Sequence, residues 1–236
     1  MAKLTIAIDG PAGSGKSTAA KRVAELLGYG YINTGAMYRA VALAALRAGT
    51  APDEGEQVVA LTRKARIELR WDEGRTRVWL DGAEVSEEIR RPEVAQAASL
   101  VSTIPAVREL LVARQRELGA GGGVVMEGRD IGSVVLPLAD LKIFLTASAE
   151  VRARRRMDEL AGRGERVSIE RMTAEVAERD RRDTGRASSP LVAAEDAVIV
   201  DSTAMEREEV ARVIVLLARE KEKRRGAGKP LPTPMA

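Results

Sequence analysis

A glycine-rich segment near the start of the chain limits the possible folds more than any other feature of the sequence. Leu4 to Asp9 is an apolar run typical of a buried strand, and beyond the segment Val23, Leu26 and Leu27 recur at helical spacing. The residues between them, Gly10 to Ser17, match the pattern G-x-x-x-x-G-K-[ST]. Because that pattern is meaningful only between a strand and a helix, the sequence predicts the strand, loop and helix of a P-loop.

This loop is suited to binding the phosphates of a nucleoside triphosphate. Glycines let successive backbone N–H groups point at phosphate oxygens, and the following helix adds the positive end of its dipole. We expect Lys16 to bridge the β and γ phosphates, and the Ser17 hydroxyl to bind Mg²⁺, which prefers oxygen ligands. The expected ATP-binding residues are Gly10, Pro11, Ala12, Gly13, Ser14, Gly15, Lys16, Ser17 and Thr18. A simple turn with a solvated lysine is the competing interpretation, and the flanking strand and helix disfavour it.

The composition narrows the class of protein. With 236 residues, of which 45% are hydrophobic and 31% charged, the chain is long enough for one well-cored domain with insertions. Histidine and cysteine are absent, which excludes disulfides, histidine bases and most zinc sites. Apolar runs are too short to cross a bilayer and there is no room for a signal peptide, so we expect a cytoplasmic protein without a membrane partner. A net charge of +3 does not imply a nucleic-acid partner.

Apolar strands alternate with helical patterns along most of the chain. The further predicted strands are 29–33, 124–126, 141–145 and 197–200, and the predicted helices include one capped by Thr34 and others at 147–160, 168–184 and 207 to about 221. The alternation predicts an α/β fold with a five-stranded parallel sheet and helices on both faces. Residues 66–84 alternate at period two around a turn at 72–74, which predicts a small antiparallel insertion, and residues 93–118 are predicted as helical with a break at Pro105.

The loop alone does not separate a kinase from a GTPase switch or a mechanical ATPase. A guanine-reading Asn-Lys-x-Asp motif is missing, because the one asparagine of the chain, Asn33, is followed by Thr34 and Gly35. A glutamine-bearing Asp-x-x-Gly switch is also missing, and nothing suggests the added modules of a motor protein. A small-molecule kinase is the interpretation that remains.

Four motifs in order give the chain a specific resemblance. They are Gly10-Pro11-Ala12-Gly13-Ser14-Gly15-Lys16-Ser17-Thr18, Asn33-Thr34-Gly35-Ala36-Met37-Tyr38-Arg39, Glu127-Gly128-Arg129-Asp130-Ile131-Gly132 and Arg179-Asp180-Arg181-Arg182-Asp183. With them the chain resembles the bacterial cytidylate kinases from about Leu4 to Glu222. The resemblance implies a three-layer P-loop kinase fold, and Mg²⁺-dependent transfer of the γ-phosphoryl group of ATP to CMP or dCMP. A kinase for UMP or shikimate, or a slow nucleotide-binding regulatory module, is the alternative.

The resemblance also implies roles for individual residues. The implied CMP-binding residues are Thr34, Tyr38, Arg39, Ser99, Arg108, Arg129, Asp130, Arg179, Asp183 and Arg186. The implied catalytic residues are Lys16, Arg129, Asp130, Arg152 and Arg156. Arginine forks suit a phosphate group, and a carboxylate and a guanidinium suit the amine and carbonyl of cytosine. Uracil would leave the carboxylate unpaired, so discrimination against UMP is expected.

The same resemblance divides the chain into functional parts. We predict one domain over 1–223, with a core at about 1–62, 120–151 and 185–223 and an acceptor-binding insertion at about 63–119. A helical lid at about 152–184 carries Arg152, Arg155 and Arg156, with glycines on either side of Arg163 as its hinge. Residues 224–236 are predicted to form a disordered tail, and a monomer is expected. Thr34 departs mildly from the family pattern, in which serine is common at that position.

Overall fold

The computed structural model describes residues 3–72, 75–162, 164–186 and 188–226. The strands are β1 (Thr5–Asp9), β2 (Gly30–Asn33), β3 (Ile67–Asp72), β4 (Arg75–Leu80), β5 (Ala83–Glu84), β6 (Val124–Glu127), β7 (Leu141–Thr146) and β8 (Val198–Asp201). The helices are α1 (Lys16–Leu27), α2 (Thr34–Arg47), α3 (Gly55–Lys64), α4 (Pro92–Val101), α5 (Pro105–Gly119), α6 (Ala149–Ala161), α7 (Ile169–Thr184) and α8 (Arg207–Gly226).

A five-stranded sheet carries the glycine-rich loop. Its strand order is β2-β6-β1-β7-β8. β1 pairs in parallel with β6 and with β7, and β7 pairs in parallel with β8. Because β1 lies in the middle of this order and helices flank the sheet, its residues Ile6, Ala7 and Ile8 are fully buried, which accounts for the unbroken apolar run. The predicted α/β class, with a mostly parallel sheet, is confirmed.

The chain forms two compact units. One, the P-loop unit, consists of the chain up to Gly30 and from Gly122 onward, and the other, the middle unit, is Tyr31–Gly121. The predicted insertion at 63–119 lies within the middle unit, and its boundaries stay a prediction.

The middle unit has its own core. Helices α2, α4 and α5 bury residues such as Val41, Val101 and Leu111 together with Val78 and Leu80 of β4. β3, β4 and β5 form the predicted antiparallel sheet, with Ile67 opposite Leu80. The turn predicted at 72–74 lies mostly outside the described residues.

Within the P-loop unit, α6 and α7 form a helical pair with a small core of Ala153, Leu160, Met172 and Val176. Both helices begin at a serine cap. Ser148 Oγ accepts from the N–H of Val151, and Ser168 Oγ accepts from the N–H of Arg171. The predicted lid therefore consists of two helices, while Arg163 of the predicted hinge lies outside the described residues.

Three local predictions need correction. Asn33, and not Thr34, caps α2, because its backbone is extended and its Oδ1 accepts from the N–H of Ala36 at 3.0 Å, whereas Thr34 is already helical. Helix α3 was not predicted. Helix α8 continues to Gly226 and so includes Arg224 and Arg225, which we predicted to belong to the tail. Basic residues at a helix C-terminus are favoured by the helix dipole, and residues 227–236 lie outside the description.

Candidate functional site

The glycine-rich loop runs from the end of β1 to the start of α1 in a conformation that needs glycine. Gly10 has φ +144° and Gly13 has φ +76°. A Cβ on Gly10 would lie 2.0 Å from the carbonyl oxygen of Leu145, and one on Gly13 would lie 2.7 Å from that of Arg152. Gly15, also at positive φ, precedes α1 and has no side chain that could cover the N–H groups of the first turn. The loop is thus shaped for an anion at the helix N-terminus.

Lys16 is buried at the base of this loop. Its Nζ donates to the carbonyl oxygen of Pro11 at 2.6 Å and to Ser14 Oγ at 3.3 Å. Burial, and after it the positive charge of Arg129, lower the pKa of Lys16 well below its ordinary value, while Glu127 acts in the opposite direction. A phosphate placed here would relieve the mutual repulsion of the two cationic side chains.

Asp183 forms ion pairs with three arginines in the P-loop unit. Arg129 Nε donates to Asp183 Oδ2 at 2.8 Å, Arg179 Nε lies 3.9 Å from the same oxygen, and Arg186 pairs with Oδ1. Burial of this carboxyl by itself would raise its pKa, but Arg129, Arg179 and Arg186 hold the pKa of Asp183 well below its usual range. With one carboxylate among three guanidinium groups, the cluster has an excess of positive charge suited to a phosphate-bearing substrate.

Asp9, at the end of β1, positions the segment that follows β6. Its carboxylate oxygens accept from the backbone N–H groups of Ile131 and Gly132, each at 2.7 Å. Burial raises the pKa of Asp9 to about 6, although these two hydrogen bonds lower it. The contact places the turn directly after Arg129 and Asp130, both predicted site residues. Sequence reasoning missed Asp9, and a polar residue ending an apolar strand was the available signal.

The arginines of α6 differ in what they contact. Arg152 is buried, donates to the carbonyl oxygens of Ala147 (3.0 Å) and Ala12 (3.2 Å), and pairs with Asp180 at 2.7 Å. Arg156 pairs with Glu159 on its own helix at 2.6 Å. The structure thus brings Arg152 to the glycine-rich loop.

Arg155, predicted as a lid arginine but not as a catalytic or binding residue, contacts the same loop. Its Nη1 donates to the carbonyl oxygen of Ser14 at 3.3 Å. Nothing in the arginine-rich sequence of α6 distinguishes Arg155 from its neighbours Arg154 and Arg156.

In the middle unit, the predicted acceptor residues lie on α2, α4 and α5. Arg108 is buried, its guanidinium lies 5.7 Å from the ring centroid of Tyr38, and it donates to the carbonyl oxygen of Ser102 at 3.4 Å. Thr34 is buried in the first turn of α2, and Arg39 follows on that helix, half-buried. Ser99 is also buried, and within the described part of the chain its hydroxyl has no hydrogen-bond partner. A buried, unpartnered hydroxyl is costly unless a ligand uses it.

The residues present fit a magnesium ion held mainly by substrate and water. Ser17 and Thr18 are exposed at the start of α1. Over the described ranges, no cluster of three or more histidine, cysteine, aspartate or glutamate side chains is placed to hold a metal. Mg²⁺ commonly keeps several waters and binds substrate phosphates with few protein ligands, so one hydroxyl beside the loop suits it.

A mostly parallel sheet, a phosphate-binding loop with a buried lysine and an arginine-rich helical pair define a P-loop kinase. No helix of the described chain has the length and apolar character needed to span a membrane.

Comparison with known proteins identifies the family. A family model described as cytidylate kinase matches residues 6–220. A cytidylate kinase of Pelotomaculum thermopropionicum is 56% identical over 211 residues, which are 89% of this chain and 93% of that protein. One from Caldanaerobacter subterraneus is 50% identical, over 92% of this chain and 96% of that protein. The chain therefore belongs to the cytidylate kinase family.

Proposed function

We propose that this protein transfers the γ-phosphoryl group of ATP to CMP or dCMP, yielding ADP and CDP or dCDP. The observation that supports this most directly is the proximity of the donor loop and an arginine cluster within one unit. Burial lowers the pKa of Lys16 most, and the nearby charges of Arg129 and Arg179 lower it further, while Glu127 and Asp183 act in the opposite direction. A phosphate-binding lysine and a second phosphate-binding cluster at close range suit a reaction between two phosphorylated substrates.

On the donor side, the loop Gly10–Thr18 binds the triphosphate through its backbone N–H groups. Lys16 exchanges its bond to the Pro11 carbonyl for phosphate oxygens, where its charge stabilises the transferring group. Ser17 holds Mg²⁺ together with substrate phosphates and waters. When bound, the ion neutralises charge on those phosphates.

On the acceptor side, we propose roles for the predicted residues in binding CMP or dCMP. Thr34, Arg39, Arg129 and Arg186 bind the acceptor phosphate, Ser99, Arg108 and Asp130 bind cytosine, and Arg179 and Asp183 bind the ribose. Tyr38 is a further CMP-binding residue. The unpartnered hydroxyl of Ser99 and the buried guanidinium of Arg108 support a polar ligand in the middle unit. Asp130, buried after β6, accepts from the amine that distinguishes cytosine from uracil.

The helical pair α6 and α7 acts as a lid. We propose that Arg152 and Arg156 stabilise charge on the transferring phosphoryl group and that closure excludes water, whose entry would hydrolyse ATP. The buried position of Arg152 against the loop at Ala12 supports its part in this role. A cytoplasmic, monomeric protein stays a prediction.

A panel of acceptors tests the function. Purified protein with Mg-ATP is assayed for ADP release with CMP, dCMP, UMP, AMP and shikimate as separate acceptors. We expect CMP or dCMP to support rapid release and UMP to be a poor acceptor. A preference for UMP, AMP or shikimate would contradict the proposal, and release no faster than without acceptor would support a regulatory module instead.

A further inference from the structure

Two side chains meet at one carbonyl oxygen inside the glycine-rich loop. Arg155 Nη1 donates to the carbonyl oxygen of Ser14 at 3.3 Å, and Ser202 Oγ lies 3.2 Å from that oxygen. The two side chains also contact each other, because Arg155 donates to Ser202 Oγ at 2.9 Å and to its carbonyl oxygen at 2.7 Å. The Ser14 oxygen is thus held both from α6 and from the residue that follows β8.

Ser202 has a fixed position in the fold. It is 1% exposed, its N–H donates to the carbonyl oxygen of Thr146 at 2.8 Å, and its Oγ lies 3.0 Å from that oxygen. Thr146 ends β7, the strand beside β1, so the sheet sets where the Ser202 hydroxyl lies. Arg155 approaches from a helix that also packs on the loop, as the 2.7 Å clearance between a Cβ on Gly13 and the Arg152 carbonyl indicates.

The geometry of a peptide bond gives this contact a consequence. In a trans peptide the C=O and N–H groups point in opposite directions. The carbonyl of Ser14 and the N–H of Gly15 belong to one peptide, so whatever holds the oxygen also sets the direction of that N–H. Gly15 lies immediately before α1, and the N–H groups at a helix N-terminus favour the binding of an anion.

We propose that Arg155 and Ser202 are positioning residues that aim the N–H of Gly15 at the bound triphosphate by holding the Ser14 carbonyl. The proposal rests on the proposed function, in which the loop binds ATP. Arg152 makes the same kind of contact two residues earlier in the loop, since its Nη1 donates to the carbonyl oxygen of Ala12 at 3.2 Å. Two arginines three residues apart on α6 therefore hold two alternate carbonyls of the loop.

A neutral partner separates this role from a direct arginine–phosphate contact. Ser202 is 1% exposed and carries no charge, so Ser202→Ala tests the contact with the loop without removing a cation that could pair with phosphate. The experiment measures the dissociation constant of Mg-ATP by titration calorimetry, without acceptor, for Ser202→Ala, Arg155→Gln and the double variant. Arg154→Gln is the matched control, because Arg154 is exposed on the same helix and pairs with Glu150.

We expect each single substitution to weaken ATP binding about three- to tenfold, the range of one lost hydrogen bond. The double variant should bind ATP no more weakly than the single variant with the lower affinity, because both side chains act through one oxygen. The KM for CMP should stay within about twofold, and Arg154→Gln should behave as wild type. Thermal unfolding shows whether each variant is folded. If Ser202→Ala does not fold, Ser202→Cys, of similar volume, replaces it.

Two results would overturn the proposal. One is unchanged ATP binding in Ser202→Ala beside weakened binding in Arg155→Gln, which indicates direct contact with phosphate. The other is an additive loss in the double variant. The wild type is assayed in parallel for transfer to CMP. Binding of ATP without transfer counts against the proposed function and leaves the positioning test intact.

Discussion

At the scale of single residues, buried charge is concentrated at a few side chains of the P-loop unit. Lys16, Asp9 and Asp183 are all buried, and each has a pKa displaced from its ordinary value by burial and neighbouring charges. Displaced pKa values of this kind cluster at functional sites. The sequence pointed to Lys16 by motif and to Asp183 by resemblance, whereas Asp9 emerged only from its contacts.

Lys16→Ala tests the donor side. We expect kcat to fall at least about 100-fold, because a preorganised charge on the transferring group is lost. Lys64→Ala, at the exposed end of α3, is the control with the same change and should keep wild-type activity. Steady-state kinetics with Mg-ATP and CMP measure both variants. Near-normal turnover in Lys16→Ala would refute the assigned role.

Asp183→Ala tests the acceptor side. We expect the KM for CMP to rise about tenfold or more, with the KM for ATP within about twofold, because Asp183 holds arginines that we assign to the acceptor. Glu178→Ala is the control, since Glu178 lies half-exposed on the same helix and pairs with Arg181. Equal rises in the two KM values would instead indicate a general structural role.

At the scale of elements, local sequence signals located most helices and strands but misjudged some ends. The break between α4 and α5 falls just before Pro105, as predicted, because proline favours the first turn of a helix. The start of α2 was misassigned by one residue, since both Asn33 and Thr34 are acceptable caps and only the backbone conformation distinguishes them.

Asn33→Ala tests that cap. The change removes the acceptor for the N–H of Ala36, and we expect it to lower the free energy of unfolding by about 1 kcal/mol. Asn33→Asp retains a side-chain acceptor and should stay within a few tenths of a kcal/mol of wild type. Urea unfolding followed by circular dichroism measures both. Equal stability of Asn33→Ala and wild type would show that the cap contributes little.

At the scale of the whole molecule, stability should depend on pH through Asp183. Its pKa is depressed in the folded state, so its contribution is fully present above the unfolded value of about 3.9 and is lost as pH falls below it. Protonation removes the negative charge that holds Arg129, Arg179 and Arg186 together.

Urea unfolding between pH 7 and about pH 3 tests this dependence. We expect the wild type to lose stability below about pH 4 more steeply than Asp183→Asn, which cannot ionise. The variant should be less stable at pH 7, and the difference between the two curves should shrink as the pH falls from about 4 toward 3. Parallel curves over the whole range would show that Asp183 does not contribute to the acid sensitivity.

The sequence by itself determined the strand, loop and helix around Gly10–Ser17, the α/β class and the antiparallel insertion. These depend on local periodicity and on glycines whose positive φ other residues rarely adopt. Only the tertiary structure decided which distant groups meet, such as Asp9 with Ile131, and Arg155 and Ser202 with the Ser14 carbonyl. The contacts of Asp9 and Arg155 join residues that are more than 100 positions apart in the sequence. Packing brings such residues together, and no local pattern encodes it.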